Sequence, residues 1–204
     1  MAYGQLIDVG EQIMRRYWAT GVALALAGAG LVAAVGPAGA ATQPASGAAS
    51  PSACATAWGS TVKQALDTDS KPLRNVTTSR GECYDRMVFD VKGATGKLGY
   101  YVGYVDAFHQ DGSGDPIPVG GGAILEIYVS APSYDPVTLR QTYGGRAAKP
   151  LPGVDLTGYK TFKDTRFGAS FEGRSQIGLG VRARLPFRVL QSGDKLIVDV
   201  AHKW

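Results

Sequence analysis

The sequence predicts an all-β fold: a two-sheet β-sandwich of about eight short strands, with no substantial helix in the mature domain. Three observations carry that expectation. Apolar and polar side chains alternate in Met87–Val91 and again in Ala123–Val129, the period of two that commits one face of a strand to a core. Most of the short apolar runs are bounded by Gly, Pro or Asp-Gly clusters, the punctuation of strands joined by turns. Beyond residue 53 no stretch sustains the 3.6-residue apolar repeat of a helix of normal length.

The 204 residues give room for one domain plus export and linker segments. Arg15 and Arg16 precede an unbroken run of Ala, Gly, Val and Leu from Gly21 to Val35, followed by Gly36-Pro37-Ala38-Gly39-Ala40-Ala41. A basic region, an apolar region and a small-residue cleavage site in that order read as a secretory signal peptide over 1–41, with Met14 an alternative start. The competing reading, a membrane anchor, needs about 20 apolar residues; this run is shorter, rich in Ala and Gly, and ends in a cleavage pattern. No stable transmembrane segment is expected in the mature chain. Residues 42–53 are small, uncharged and Pro/Ser-bearing, a flexible linker by composition, leaving 54–204 as the single domain. Net charge is +4, and Asp8 and Glu11 offset Arg15 and Arg16. So mild and unclustered an excess excludes a typical nucleic-acid binder but is compatible with anionic polymers.

Cys54 and Cys83 are the two cysteines. Export would put them in an oxidising compartment, where a disulfide adds on the order of 3 kcal/mol; two free buried thiols are the alternative. Ser60 is placed to cap a short helical turn through Leu66, and Trp58 to pack over the disulfide and sheet edge. Leu73–Thr78 reads as a first strand and 79–82 as the turn into Cys83. Arg86–Val91 follows, with Met87, Phe89 and Val91 on one face and Asp85-Arg86 as an ion pair at its entrance. Tyr100–Asp106 is rich in aromatic and β-branched residues, 111–116 is a turn, and Ala123–Val129 is a strand with Ala123, Leu125, Ile127 and Val129 on one face. Pro132, Pro136, Pro150 and Pro152 mark 131–157 as a long surface excursion. Strands return at Tyr159–Arg166, Gln176–Val181, Phe187–Leu190 and Lys195–Ala201. The predicted core is Met87, Phe89, Leu125, Ile127, Ile177, Leu179, Phe187, Val189, Leu196 and Val198.

No constellation for catalysis emerges. His109 lies near Asp106, Asp111 and Ser113, but one hairpin fans such side chains outward, and no Gly-x-Ser-x-Gly elbow accompanies them. His202, at the end of the last strand, reads as a surface or edge residue. Asp111, Ser113 and Asp115 alternate as in a calcium loop, yet the twelfth position is Gly122 where a bidentate Glu belongs, and a polar turn is the better reading. The expectation is therefore no enzyme, no metal and no cofactor. For binding, Tyr101, Tyr104 and Tyr128, with Tyr134 and Tyr143, offer aromatic bodies with polar tips; Arg182, Arg184 and Arg188 cluster around Pro186 and offer guanidinium forks for carboxylate or phosphate. Each set has a structural alternative, as core tyrosines and as a charged sheet edge that discourages pairing.

Cys83–Val91, Gly99–Asp106, Gln110–Gly114, Phe171–Gly173, Gly178–Val181, Pro186–Val189 and Leu196–His202, in that order, together resemble the AMIN-like domain of secreted actinobacterial proteins, over about residues 73–203. The resemblance implies a β-sandwich related to the AMIN domains of cell-wall amidases, which target their carriers to peptidoglycan. It implies a secreted, envelope-associated, non-catalytic module that binds peptidoglycan or an anionic wall polymer. The alternative is a structural or protein-interaction module that engages another secreted protein through an exposed sheet edge.

Overall fold

The computed structural model describes Cys54 and residues 56–204; the signal-peptide and linker readings of 1–41 and 42–53 lie outside the described residues. Among the described residues nine strands form two wholly antiparallel sheets. The strands are β1 (Lys63–Ala65), β2 (Asn75–Arg80), β3 (Tyr84–Asp90), β4 (Tyr100–Val105), β5 (Ala123–Val129), β6 (Phe162–Phe171), β7 (Arg174–Val181), β8 (Phe187–Ser192) and β9 (Lys195–Ala201). The larger sheet runs β1-β4-β5-β7-β6 and the smaller β2-β3-β9-β8. No helix of the described residues is long and apolar enough to cross a membrane.

The core lies where the alternation put it. Met87, Phe89, Leu196, Val198 and Phe187 of the smaller sheet are buried, as are Val102, Leu125, Ile127, Ile177 and Leu179 of the larger; Val189 is half-buried and packs against them. Several strand starts differ from the sequence reading. The segment after Ser60 is not a helical turn but β1, paired to β4 with Lys63 opposite Val102. A capping serine is a weak local preference, and here Phe187 N–H donates to Gly59 O at 2.9 Å, holding the chain extended. The first predicted strand begins two residues later, at Asn75, because Leu73 N–H is taken by Pro132 O and the Thr142 hydroxyl donates to Leu73 O. The turn that follows shifts accordingly to the residues after Arg80.

β6 is displaced to Phe162–Phe171, and β7 starts at Arg174. Glu172 and Gly173 both have positive φ, 47° and 77°, the two-residue hairpin turn that matches strand twist. The 131–157 excursion is not confined to the surface. Ala131, Tyr143 and Leu151 are buried in it, Ser175 Oγ donates to Ala131 O, and Ala148 N–H and Phe167 O join at 2.9 Å.

The pair Asp85–Arg86 is also corrected. Adjacent strand residues point to opposite faces, so they do not pair with each other. Asp85 faces inward beside Met87 and is fully buried; its carboxylate accepts from Thr161 N–H at 2.6 Å, Phe162 N–H at 3.2 Å and His202 Nε2 at 3.1 Å. Thr161 immediately precedes β6 of the other sheet and Phe162 opens it. His202 is therefore no edge residue: its ring also meets Glu82 O through Nδ1 at 3.0 Å, and its side chain is only 11% exposed. Arg86 turns outward to Asp199 instead.

Cys54 and Cys83 form a disulfide with Cα atoms 5.0 Å apart. It brings Trp58 against Tyr84, ring centroids 5.8 Å apart, at the mouth of β3.

Two stability measurements follow from this packing. Hydrogen bonds to a buried charged acceptor contribute about 1.5–3 kcal/mol each, so Asp85→Ala should lower the urea unfolding free energy by about 3 kcal/mol or more, and Asp85→Asn by less. Equal stability of Asp85→Ala and wild type would refute the linking role. Tyr143, 5% exposed, has no hydrogen-bond partner for its hydroxyl among the described residues. An unpaired buried hydroxyl costs about 1–3 kcal/mol, so Tyr143→Phe should leave stability unchanged or raise it by as much as about 1 kcal/mol in the same assay.

Candidate functional site

Parity within β4 and β5 decides which tyrosines reach solvent. Tyr104 stands opposite Leu125 and Leu179 on the inward face, while Tyr101 stands opposite Tyr128 and Gln176 on the outward face. Tyr104 is thus a core-side residue. Its hydroxyl donates to Leu185 O at 2.8 Å and accepts from Leu185 N–H at 3.0 Å, its ring meets Phe187 edge-on, and burial raises its pKa.

Tyr101 and Tyr128 meet edge-to-face with centroids 6.3 Å apart, on the floor of an open cleft of about 810 Å³. Gln64, Leu66 and Asp67 of the β1 region form one wall, and Glu126, Ser130 and Arg174 the other. Arg174 lies over the Tyr128 ring at 5.0 Å and 3.7 Å from Asp111. A second depression of about 510 Å³, bounded by His109, Gln110, Asp111 and Ser113, shares Glu126 and Tyr128. His109 therefore belongs to a loop wall beside the cleft, bridged to Pro116 across its own turn.

That loop is held down by two devices. Gln176, almost wholly buried, accepts Asp111 N–H at 2.8 Å, and its two Nε2 hydrogens are shared among His109 O, Glu126 Oε1 and Tyr128 Oη, at 2.8, 2.9 and 3.0 Å. Phe108 fills the space that glycine leaves at position 178, where a Cβ would sit 2.8 Å from its ring. The alternating Gly178 and Gly180 of β7 thus mark the strip of sheet over which a loop lies. Asp111, Ser113 and Asp115 build a turn closed by Gln110 N–H to Asp115 O and Asp115 N–H to Ser113 Oγ. Among the described residues no group of three or more His, Cys, Asp or Glu is placed to hold a metal ion.

The three arginines do not converge. Arg182 is exposed and donates to His202 O. Arg184 stacks on Tyr104 at 5.2 Å, with its own carbonyl accepting from the Trp204 indole. Arg188 lies on the smaller sheet, where Arg188, Asp199 and Arg86 share one rung. Arg86 grips Asp199 with two hydrogen bonds, Nε to Oδ1 at 2.7 Å and Nη2 to Oδ2 at 2.9 Å, and that pairing raises its pKa further. The guanidinium of Arg188 stacks on Trp58 at 4.3 Å.

An AMIN-like domain model matches residues 71–202. The chain belongs to the AMIN-like domain family. No curated protein and no solved structure matches it. AMIN-like domains are generally binding modules rather than catalysts, and membership suggests a cell-wall-associated module. Together with the disulfide it suggests an extracellular or envelope-associated protein.

Sequence reasoning singled out Tyr101 and Tyr128, which this chain places in the cleft, but missed Gln64, Glu126, Arg174 and Gln176. Glu126 and Gln176 had a legible signal, Glu126 as a polar residue at an outward position between core residues Leu125 and Ile127, and Gln176 as one beside core residue Ile177. Gln64 had none, because β1 is fixed by tertiary contacts.

Burial, then the carboxylates of Glu126 and Asp111, push the Tyr128 phenol up to about 12. The sign is that of a raised folded-state pKa: the contribution to stability is present below the ordinary value near 10 and is lost as pH rises towards 12. A phenolate absorbance titration of wild type minus Tyr128→Phe should show the missing group ionising near 12. A difference step near 10 would mean the ring is freely solvated.

Proposed function

We propose that this AMIN-like chain is a non-catalytic module, exported by a signal peptide over 1–41, that binds peptidoglycan at the cell envelope through the cleft floored by Tyr101 and Tyr128. The observation that carries the reading is that aromatic pair, outward-facing in an open cleft with polar side chains around it. A sugar ring presents apolar C–H faces and polar edges. The faces pack on tyrosine rings, whose bodies are apolar and whose tips are polar; the edges meet Gln64, Asp67 and Glu126 as hydrogen-bond partners. Arg174, held by stacking on Tyr128, supplies donors for a glycan carbonyl or a stem-peptide carboxylate. An open cleft suits a polymer, which must enter from the side, better than a small free metabolite, which favours enclosure.

The full chain, with its disulfide oxidised, should co-sediment with insoluble sacculi both before and after anionic polymers are stripped, with little loss between low and moderate salt. Tyr101→Ala and Tyr128→Ala should each weaken sedimentation by about tenfold, in keeping with the loss of one aromatic contact of about 1–1.5 kcal/mol. Tyr104→Phe, a core-side change, should sediment as wild type. Wild-type protein remaining in the supernatant, or variants pelleting equally well, would sink the reading.

A further inference from the structure

The outward face of the smaller sheet carries a second arrangement that the tyrosine cleft does not use. Its central rung is Arg86–Asp199–Arg188. Asp199 is fully buried beneath the two guanidiniums, whose side chains remain 28% and 32% exposed. One carboxylate faces two cations, so the rung holds one positive charge more than it needs. Arg188 reaches Asp199 through Nε alone, at 2.8 Å, and its pair of Nη donors makes no other hydrogen bond among the described residues. The guanidinium plane is fixed by Trp58 at 4.3 Å and Tyr84 at 5.3 Å. A guanidinium so held loses little freedom when it takes an anion.

The neighbouring rung sets the kind of anion. Val88, Ile197 and Leu190 stand side by side there, with Leu190 39% exposed. One rung further, Lys195 is already engaged by Asp90 and Asp194, at 3.8 and 3.0 Å. Among the described residues the face therefore offers a single spare cation beside an apolar strip, not a row of cations. A polyanion such as a phosphodiester polymer gains its affinity from many neutralised charges, and this surface has one to give.

We infer that Arg188 and Arg86 receive the free terminal carboxylate of a peptide whose last side chains are small and apolar, with those side chains lying along Val88, Ile197 and Leu190. The carboxylate's two oxygens match the paired Nη donors of Arg188 in a fork geometry. Trp58 and Tyr84, on which the Arg188 guanidinium lies, form the wall of the site. The site is on the sheet opposite the tyrosine cleft and does not depend on what that cleft binds.

The test is an NMR titration of the full, oxidised chain with N-acetyl-dialanine as the free acid and as the C-terminal amide. The acid should shift the Trp58 indole and Arg188 Nε–H signals, and the amide should not. Arg188→Gln should weaken binding of the acid at least tenfold, and Arg188→Lys should weaken it measurably although the charge is kept, since the fork is gone. Lys163→Gln, on an exposed side chain remote from the rung in sequence and sheet, should bind as wild type. Thermal melts of each variant separate lost binding from lost fold: if Arg188→Gln is too unstable to titrate, Arg188→Lys decides. The proposal is overturned if the amide binds as tightly as the acid, if a folded Arg188 variant binds like wild type, or if the signals move with poly(glycerol phosphate) and not with the peptide acid. In sedimentation the Tyr101→Ala and Tyr128→Ala variants report on the cleft, and in the titration the Arg188 variants report on the rung, so failure of either proposal leaves the other standing.

Discussion

A single buried carboxylate ties the two sheets to each other. Asp85 sits on the inward face of β3 and is satisfied by the first backbone amides of β6, in the opposite sheet, and by His202, just past β9. A charge removed from water is tolerated only where such partners are fixed in place. The long excursion between β5 and β6 must therefore end with Thr161 directed at Asp85, and the C-terminal residues must fold back past Cys83, where His202 N–H donates to its carbonyl. Because the pleat has a period of two, the inward placement of Asp85 sends Arg86 outward. Register with β9 and β8 then delivers Asp199 and Arg188 to the same rung. The outer cationic rung is thus a consequence of the inner carboxylate, one residue away.

Where the pattern of two ran uninterrupted, the sequence was sufficient. Met87, Phe89, Leu125, Ile127, Leu196 and Val198 are core residues because nothing local competes with burial of an alternating apolar face. The same rule, extended one step back from Met87, already places Asp85 inward, and reading Asp85-Arg86 as a pair overlooked that neighbours on a strand diverge. Tyr101 and Tyr104, three apart, likewise cannot share a face, so the parity that separates outward-facing from core-side tyrosines was present in the chain. What was not legible depends on contacts distant in sequence. β1 exists through its pairing to β4 and the bond from Phe187 N–H, and Tyr143 is core because the excursion folds inward at Phe167, whose ring lies 6.1 Å away. Composition marks such a stretch as loop without saying which of its side chains are buried.

The arginines show the limit of proximity in sequence. Arg182, Arg184 and Arg188 lie within one short segment, yet the chain crosses between sheets there, from the end of β7 to the start of β8. Their partners are a backbone carbonyl, a tyrosine ring and a buried aspartate. Only Arg188 is held rigidly by charge and stacking together. Its companion is Arg86, about a hundred positions earlier in the chain, and that pairing follows from strand order alone.

The segment that follows Cys54 connects both faces. The disulfide anchors it at the mouth of β3, Gly59 O takes the amide of Phe187 on the smaller sheet, and Lys63 lies over the Phe187 ring at 4.0 Å as the chain enters β1 of the larger sheet. Trp58 is thereby laid on Arg188, and six residues later Gln64 becomes a wall of the tyrosine cleft. A three-residue edge strand has too few ladder bonds to hold itself in place. Its position rests on the covalent tether and on this crossing, so both surfaces share one organiser that is not part of either sheet's central strands. The Cys54–Cys83 bond therefore helps to build the two faces together.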